Sequence, residues 1–127
     1  MDTQLIRRRM ARYVEMVDAG DIDGILGLYA DDAVIEDPVG TPALVGLQAI
    51  ARFYREGLGR TEASAQLTGP VRVAGNGCAA MPMRVDLMWN GEPCSLHVID
   101  VMEFDDKGRI RSMKAYWGEL NVERRPE

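Results

Sequence analysis

The stretch Cys94-Ser-Leu-His-Val-Ile-Asp-Val-Met-Glu-Phe104 predicts a β-strand with one apolar face. Because side chains alternate between the two faces of a strand, Asp100 shares its face with Cys94, Leu96, Val98, Met102 and Phe104. An unpaired carboxylate is costly to bury, so such a group tends to keep a proton and becomes a hydrogen-bond donor. Two interpretations of Asp100 stay open here. It is a donor aimed at negative charge that develops in a reaction, or a structural carboxyl satisfied by backbone N–H groups or an arginine.

Two turns place the neighbours of this strand. Asn90-Gly91 favours a two-residue type I′ hairpin, which would set Met81 opposite Asp100. A four-residue turn at 105–108 would set Met113 opposite Asp100 on the other side. Both neighbours would carry apolar side chains on the face of Asp100, so the pattern predicts that Asp100 points into a pocket or the core.

The rest of the chain predicts helices first and an antiparallel meander second, which is an α+β fold. Apolar residues at helical spacing cover about 3–18 and 47–58. Asp21 is a plausible cap for a short helix that carries Tyr29 on its apolar face, and 33–36 predicts a short strand. After Gly59 apolar residues recur at every second position, which predicts strands at about 62–74, 78–89, 93–104 and 109–118.

Length and composition limit the classes of function. The chain has 127 residues, 46% of them hydrophobic, which predicts one domain over 1–127 with a substantial core. The net charge of −5 argues against a nucleic-acid or acidic-membrane partner. No apolar stretch approaches the roughly 20 residues that span a bilayer. Because the N-terminus lacks the apolar core of a signal peptide, we expect a cytoplasmic protein.

The cysteines and the histidine indicate neither a disulfide nor a metal site. Cys78 and Cys94 would lie far apart in the Asn90-Gly91 hairpin, so we predict that both are free thiols. His97 is the single histidine, and it faces away from Asp100, as a surface or subunit-interface residue would. No zinc-binding spacing and no glycine-rich phosphate loop after a strand is visible.

Tyrosines and a second carboxyl add to the strand of Asp100. Tyr13, Tyr29 and Tyr54 lie at apolar helical positions, and a buried phenol needs a hydrogen-bond partner. They are either core residues bonded to backbone or members of a polar network in an apolar cavity. Asp37 precedes a proline and is therefore extended; it is either a turn residue or a carboxyl at the cavity rim. Two carboxyls in unlike environments suit divided acid and base roles.

Several short stretches, spread over nearly the whole chain, match one known family pattern. They are Met10-Ala-Arg-Tyr13, Gly20-Asp-Ile22, Leu28-Tyr-Ala-Asp-Asp-Ala33, Glu36-Asp-Pro38, Phe53-Tyr-Arg55, Leu67-Thr-Gly-Pro70, Asn76-Gly-Cys78, Trp89-Asn-Gly91, Val98-Ile-Asp-Val101 and Ala115-Tyr-Trp117. Together, with their spacing, they resemble the bacterial steroid Δ5-isomerases, or ketosteroid isomerases. The resemblance implies the cone-shaped NTF2-like fold, in which three N-terminal helices pack on a curved, mainly antiparallel sheet around an apolar cavity.

The resemblance also implies a reaction and the residues that perform it. Asp37 resembles the general base that moves a proton of a 3-oxo-Δ5-steroid from C4 to C6, without a cofactor. Tyr13 and Asp100 resemble the two donors to the C3 oxygen. Ketosteroid isomerases are themselves the well-known case of a carboxylic acid kept neutral for this purpose, so the resemblance implies a protonated Asp100. Tyr29 and Tyr54 resemble tyrosines that extend the hydrogen bonds behind Tyr13. The steroid slot would be lined by Tyr29, Phe53, Tyr54, Met81, Met83, Val85, Leu96, Val98, Met113, Ala115 and Trp117.

Some features of the family remain open for this chain. Val39 and Met83 are apolar residues at positions where the family pattern has aromatic ones. The family is homodimeric, which implies a homodimer here, with the outer sheet face around Ile99 and Val101 free for contact. Two alternatives to a steroid isomerase stay open. One is another enzyme of the same fold, such as an epoxide hydrolase or a polyketide cyclase, and the other is a non-catalytic module that binds an apolar small molecule.

Overall fold

The helices and strands follow the predicted order of an α+β fold. A computed structural model describes residues 2–59 and 62–125. The helices are α1 (Thr3–Ala19), α2 (Ile22–Leu26) and α3 (Leu47–Gly57). The strands are β1 (Tyr29–Glu36), β2 (Leu44–Val45), β3 (Ser64–Leu67), β4 (Arg72–Val73), β5 (Cys78–Trp89), β6 (Glu92–Phe104), β7 (Ile110–Tyr116) and β8 (Val122–Arg124), with a 3₁₀ turn at Glu119–Asn121 before the last.

The first two helices begin at aspartate caps. The Asp2 carboxylate accepts hydrogen bonds from two amides of the first turn of α1, and Gly20 ends that helix with φ 68°. Asp21 caps α2 in the predicted way. The prediction that Tyr29 lies on this helix was wrong, because α2 ends three residues earlier and Tyr29 begins β1, where it pairs with Ile110 of β7.

The strands form one mixed sheet in the order β2-β1-β7-β6-β5-β3, with β4 beside β5 and β8 beside β6. The sheet is mainly antiparallel, as predicted, and β1 and β7 are a parallel pair. The strand predicted at 62–74 is two short strands, β3 and β4, which both pair with β5. Helix α1 packs on β3, β4 and β5, and α3 packs on β1 and β2, so the two helices cover one face of the sheet.

The hairpin of β5 and β6 has the predicted register. Met81 lies opposite Asp100 in this pairing. Asn90 and Gly91 have φ of 53° and 79°, the left-handed values that a type I′ turn requires. Cys78 and Cys94 are both free thiols.

The register predicted between β6 and β7 was wrong by two residues. Ala115, rather than Met113, lies opposite Asp100, and Met113 lies opposite Met102. One residue comes from the turn, because Phe104 pairs with Ile110 instead of Arg109, and the second comes from a bulge in β7 between the partners of Glu103 and Phe104. Because a shift of two keeps every side chain on its face, Asp100 still points toward the helices.

No helix within residues 2–59 and 62–125 combines the length and the apolar character needed to cross a membrane.

Candidate active site

A cavity of about 220 Å³ lies between the helices and the inner face of β5 and β6. Its wall brings together most of the residues that the sequence predicted for the site. These are Tyr13, Asp37, Phe53, Tyr54, Met83, Val85, Leu96, Val98, Asp100 and Trp117.

Four residues predicted to line the cavity lie elsewhere. Met81, Met113 and Ala115 are buried in the core, because the cavity extends from Asp100 toward the β5–β6 turn and the helices fill the space on the other side. Tyr29 lies behind Tyr54. These assignments to the wall are therefore corrected.

Five residues of the wall were missed. Leu87 continues the alternation of Met83 and Val85, and Val17 lies one helical turn after Tyr13. The apolar periodicity of the sequence could therefore have identified both residues. The others come from the end of α3 and the loop after it, where no periodicity marks them: Gly57, Leu58 and Ala63.

Asp100 is a buried carboxyl on the cavity wall. Asp100 is 3% exposed, and it lines the cavity. Burial, and secondly the charge of Asp37, raise the pKa of Asp100 well above its usual value. Both causes favour the protonated form, so the O–H of Asp100 is available to a ligand in the cavity.

Tyr13 is the end of a chain of three buried phenols. The hydroxyls of Tyr13 and Tyr54 are hydrogen-bonded at 2.8 Å, and those of Tyr54 and Tyr29 at 2.7 Å. Burial is the main cause that raises the pKa of each phenol well above its usual value. These groups therefore remain neutral donors at neutral pH, and Tyr13 and Tyr54 reach the cavity while Tyr29 supports them from behind.

Asp37 follows β1 at the rim of the cavity and is held by Trp117. The indole Nε1–H of Trp117 donates to Asp37 Oδ1 at 2.8 Å. Burial raises the pKa of Asp37, and the hydrogen bond from Trp117 opposes that rise by stabilising the carboxylate. Asp37 is half-buried, so it is both oriented and accessible from the cavity.

The arrangement combines one oriented carboxylate with two neutral donors in a largely apolar space. A carboxylate of raised pKa is suited to accept a proton from carbon or oxygen. Neutral donors in a dry cavity stabilise an oxyanion that forms as the proton leaves. The site can therefore remove a proton next to a carbonyl group and stabilise the resulting enolate.

Other polar groups of the sheet lie outside this cavity. His97 is on the opposite face of β6 from Asp100, where its Nε2 is 3.2 Å from the carboxylate of Glu123. Within residues 2–59 and 62–125, no cluster of three histidine, cysteine or acidic side chains is arranged to hold a metal ion.

Comparisons with known proteins agree with this architecture. The family model described as "SnoaL-like domain" matches residues 10–113. The chain is 38% identical over 112 residues to a steroid Delta-isomerase from Nocardioides simplex, a match that covers 88% of this chain and 89% of the relative.

Two further similar proteins carry a different reaction in their descriptions. The chain is 30% identical over 123 residues to the epoxide hydrolase LasB from Streptomyces lasalocidi, covering 93% of this chain and 43% of that protein. A solved structure of SalBIII, described as an epoxide hydrolase/cyclase-like enzyme in pyran ring formation, superposes with a TM-score of 0.91 over 98% of both chains at 23% identity. That likeness supports the fold.

Proposed function

Because the chain belongs to the SnoaL-like, or NTF2-like, family of enzymes, we propose that it is a cofactor-independent steroid Δ5-isomerase. One observation carries the proposal: Asp37, Tyr13 and Asp100 line the same apolar cavity. The similarity to the isomerase from Nocardioides simplex supports the same reaction.

The proposed reaction is a proton transfer through a dienolate. The carboxylate of Asp37 removes the C4 proton of a 3-oxo-Δ5-steroid, and the electron pair of the C–H bond moves through the C3 carbonyl onto its oxygen. Tyr13 and Asp100 donate hydrogen bonds to that oxygen without giving up their protons. Asp37 then returns the same proton to C6, and the double bond moves from C5–C6 to C4–C5. Each donor of an oxyanion hole is worth about 3 kcal/mol of barrier.

The apolar wall supports a flat hydrocarbon substrate. Phe53, Met83, Val85, Leu96 and Val98 line the cavity with apolar side chains. Enclosing a hydrocarbon skeleton among such side chains removes apolar surface from water, and the donors at the inner end fix which end of the substrate carries the ketone. Met83, an aliphatic residue where the family pattern has an aromatic one, keeps this wall apolar.

The proposal is tested by following the ultraviolet absorbance of the conjugated enone that would form from 5-androstene-3,17-dione. We expect absorbance to grow in proportion to the concentration of the protein, and a double Tyr13→Phe and Asp100→Leu variant to lose nearly all of this rate. A folded wild-type protein that binds the steroid without changing its absorbance would contradict isomerisation and favour a binding module.

Epoxide opening is the second candidate, favoured by the similarity to LasB and by the pairing of a base with a neutral acid. In that reaction Asp37 would take a proton from a hydroxyl group or water, whose oxygen attacks an epoxide carbon. The breaking C–O bond would leave its electron pair on the epoxide oxygen, which takes the proton of Asp100. Incubation with a polyether-type hydroxy-epoxide, followed by mass spectrometry and NMR of the product, separates the two candidates: ring closure without steroid turnover favours epoxide opening.

A homodimer is proposed from the outer face of the sheet. Ile99 and Tyr116 lie side by side there, and each is 49% exposed. Covering them with a second copy would bury apolar surface that a monomer leaves in water. We expect analytical ultracentrifugation to give a dimer, and Ile99→Glu to shift it toward monomer; an unchanged monomer at all concentrations would contradict the proposal.

A further inference from the structure

Trp117, which donates to Asp37, also contacts a second tryptophan, Trp89. Its ring lies 6.0 Å from that of Trp89, centroid to centroid, with the two planes at 86°. This edge-to-face arrangement is the favourable geometry for two aromatic rings. Trp89 lies outside the set of residues that line the cavity, so its contact with the site passes through Trp117.

Trp117 lies just beyond the end of a strand. Strand β7 ends at Tyr116, which is the last β7 residue paired with β6. Trp117 is the first residue beyond that pairing, so strand hydrogen bonds do not set the direction of its side chain. The indole is nevertheless aimed at Asp37, to which its N–H donates at 2.8 Å.

Trp89, in contrast, has a fixed position. It is the last residue of β5 and pairs with Glu92 across the two-residue turn at Asn90–Gly91. The left-handed φ values of both turn residues hold that register. Trp89 follows Met83, Val85 and Leu87 in the alternation of β5, so it shares their face of the sheet, and it is 39% exposed.

We infer that Trp89 is a positioning residue for the general base: it holds the Trp117 indole at the angle from which its N–H donates to Asp37. The rigid hairpin turn thereby orients a carboxylate that directly follows β1, a distant strand of the sheet. The carboxylate must lie over the two carbons between which the proton moves, and a small misplacement of a reacting group lowers the rate. The effect on turnover rests on the proposed function, whereas the effect on Asp37 does not.

The charged and titratable groups around Asp37 define what else could move its pKa. Asp100, Tyr13 and Tyr29 interact with it electrostatically, and the Trp117 donor is the group that lowers its pKa. Trp89 carries no charge, so a change at this position can alter the pKa of Asp37 only through the indole or through a wider rearrangement.

The test measures the pKa of Asp37 by NMR of the ¹³C-labelled carboxyl group in four variants: Trp89→Leu, Trp89→Phe, Trp117→Phe and the Trp89→Leu/Trp117→Phe pair. We expect Trp89→Leu to raise the pKa of Asp37, Trp89→Phe to restore most of the wild-type value, and the pair to match Trp117→Phe alone. Met88→Leu is the matched control, because Met88 is the neighbouring residue on the other face of β5 and is 43% exposed.

Turnover gives a second measurement. We expect Trp89→Leu to lower kcat about 3- to 10-fold, since the loss of an aromatic pair of this kind changes an equilibrium constant by up to about tenfold. We expect KM to change little, because Trp89 lies outside the cavity wall. An unchanged pKa of Asp37 in Trp89→Leu would overturn the inference, as would an equal change in the Trp117→Phe background. Because the NMR titration needs no substrate, a failure of steroid turnover would leave this result interpretable.

Discussion

Replacing Asp100 by leucine is expected to make the protein more stable and less active at once. The wild-type residue is only 3% exposed, on the wall of a largely apolar cavity, and burial is the main cause of its raised pKa. Moving a polar group from water into such a site costs about 1–3 kcal/mol of stability where no hydrogen bond compensates. Leucine removes that cost, and the cavity beside position 100 gives the larger side chain room.

The dependence of this gain on pH follows from the raised pKa of Asp100. The folded protein holds the proton to a higher pH than the unfolded chain, whose aspartates titrate near about pH 4. Between these two pKa values the folded state binds more protons, so the wild type loses stability as pH rises, by up to about 1.4 kcal/mol per pH unit. The contribution of Asp100 is fully present below about pH 4 and is lost as pH rises through the folded pKa.

Urea unfolding at several pH values compares Asp100→Leu with the wild type and with Asp100→Asn. Asn removes the titration but keeps a donor, so it should lose the pH dependence of Asp100 and retain more activity than Leu. We expect the free energy of unfolding of Asp100→Leu to exceed that of the wild type by an amount that grows with pH. The kcat of Asp100→Leu should fall about 100- to 1,000-fold. A variant less stable than the wild type would mean that the carboxyl is compensated by partners, and a variant with the same pH dependence would mean that folding does not shift the pKa of Asp100; either result would refute the argument.

Three further predictions follow from single contacts. Trp117→Phe removes the donor to Asp37, so the pKa of Asp37 measured by NMR should rise; an unchanged pKa would show that the hydrogen bond does not stabilise the carboxylate. Tyr54→Phe breaks both phenol hydrogen bonds, so kcat should fall about 3- to 10-fold, and a loss as large as that of Tyr13→Phe in the same assay would contradict a supporting role. Gly91→Ala should lower the free energy of unfolding by about 1 kcal/mol in urea titrations, because φ is 79° while a Cβ there meets no neighbour; no loss would contradict the strained turn.

Local signals predicted the parts of the fold that depend on a few neighbouring residues. Asn90-Gly91 has a strong preference for one turn, and the turn fixes the register of every residue in the β5–β6 pair. The apolar alternation of β6 then placed Asp100 on the inner face. Asp21 likewise predicted the start of α2 through its side-chain cap.

Other features depend on contacts between distant segments, which a pattern in one segment does not encode. A longer turn and a bulge at Glu103–Phe104 together shift β7 by two residues, and Tyr29 becomes the start of a strand because β7 pairs with it. The extent of the cavity depends on where the helices fill the space above the sheet, so Met81 and Met113 are core residues although they share the face of Asp100. The hydrogen bond between Trp117 and Asp37 joins residues 80 positions apart.

The general-base role of Asp37 is tested most directly by Asp37→Asn, which keeps the size of the side chain and removes its basicity. The measurement is the rate of enone formation from 5-androstene-3,17-dione, beside the affinity of the same variant for the product steroid. We expect turnover to fall about 100- to 10,000-fold, the range expected when a positioned base is lost, while the steroid still binds. Turnover near the wild-type rate in a folded Asp37→Asn variant would contradict that role.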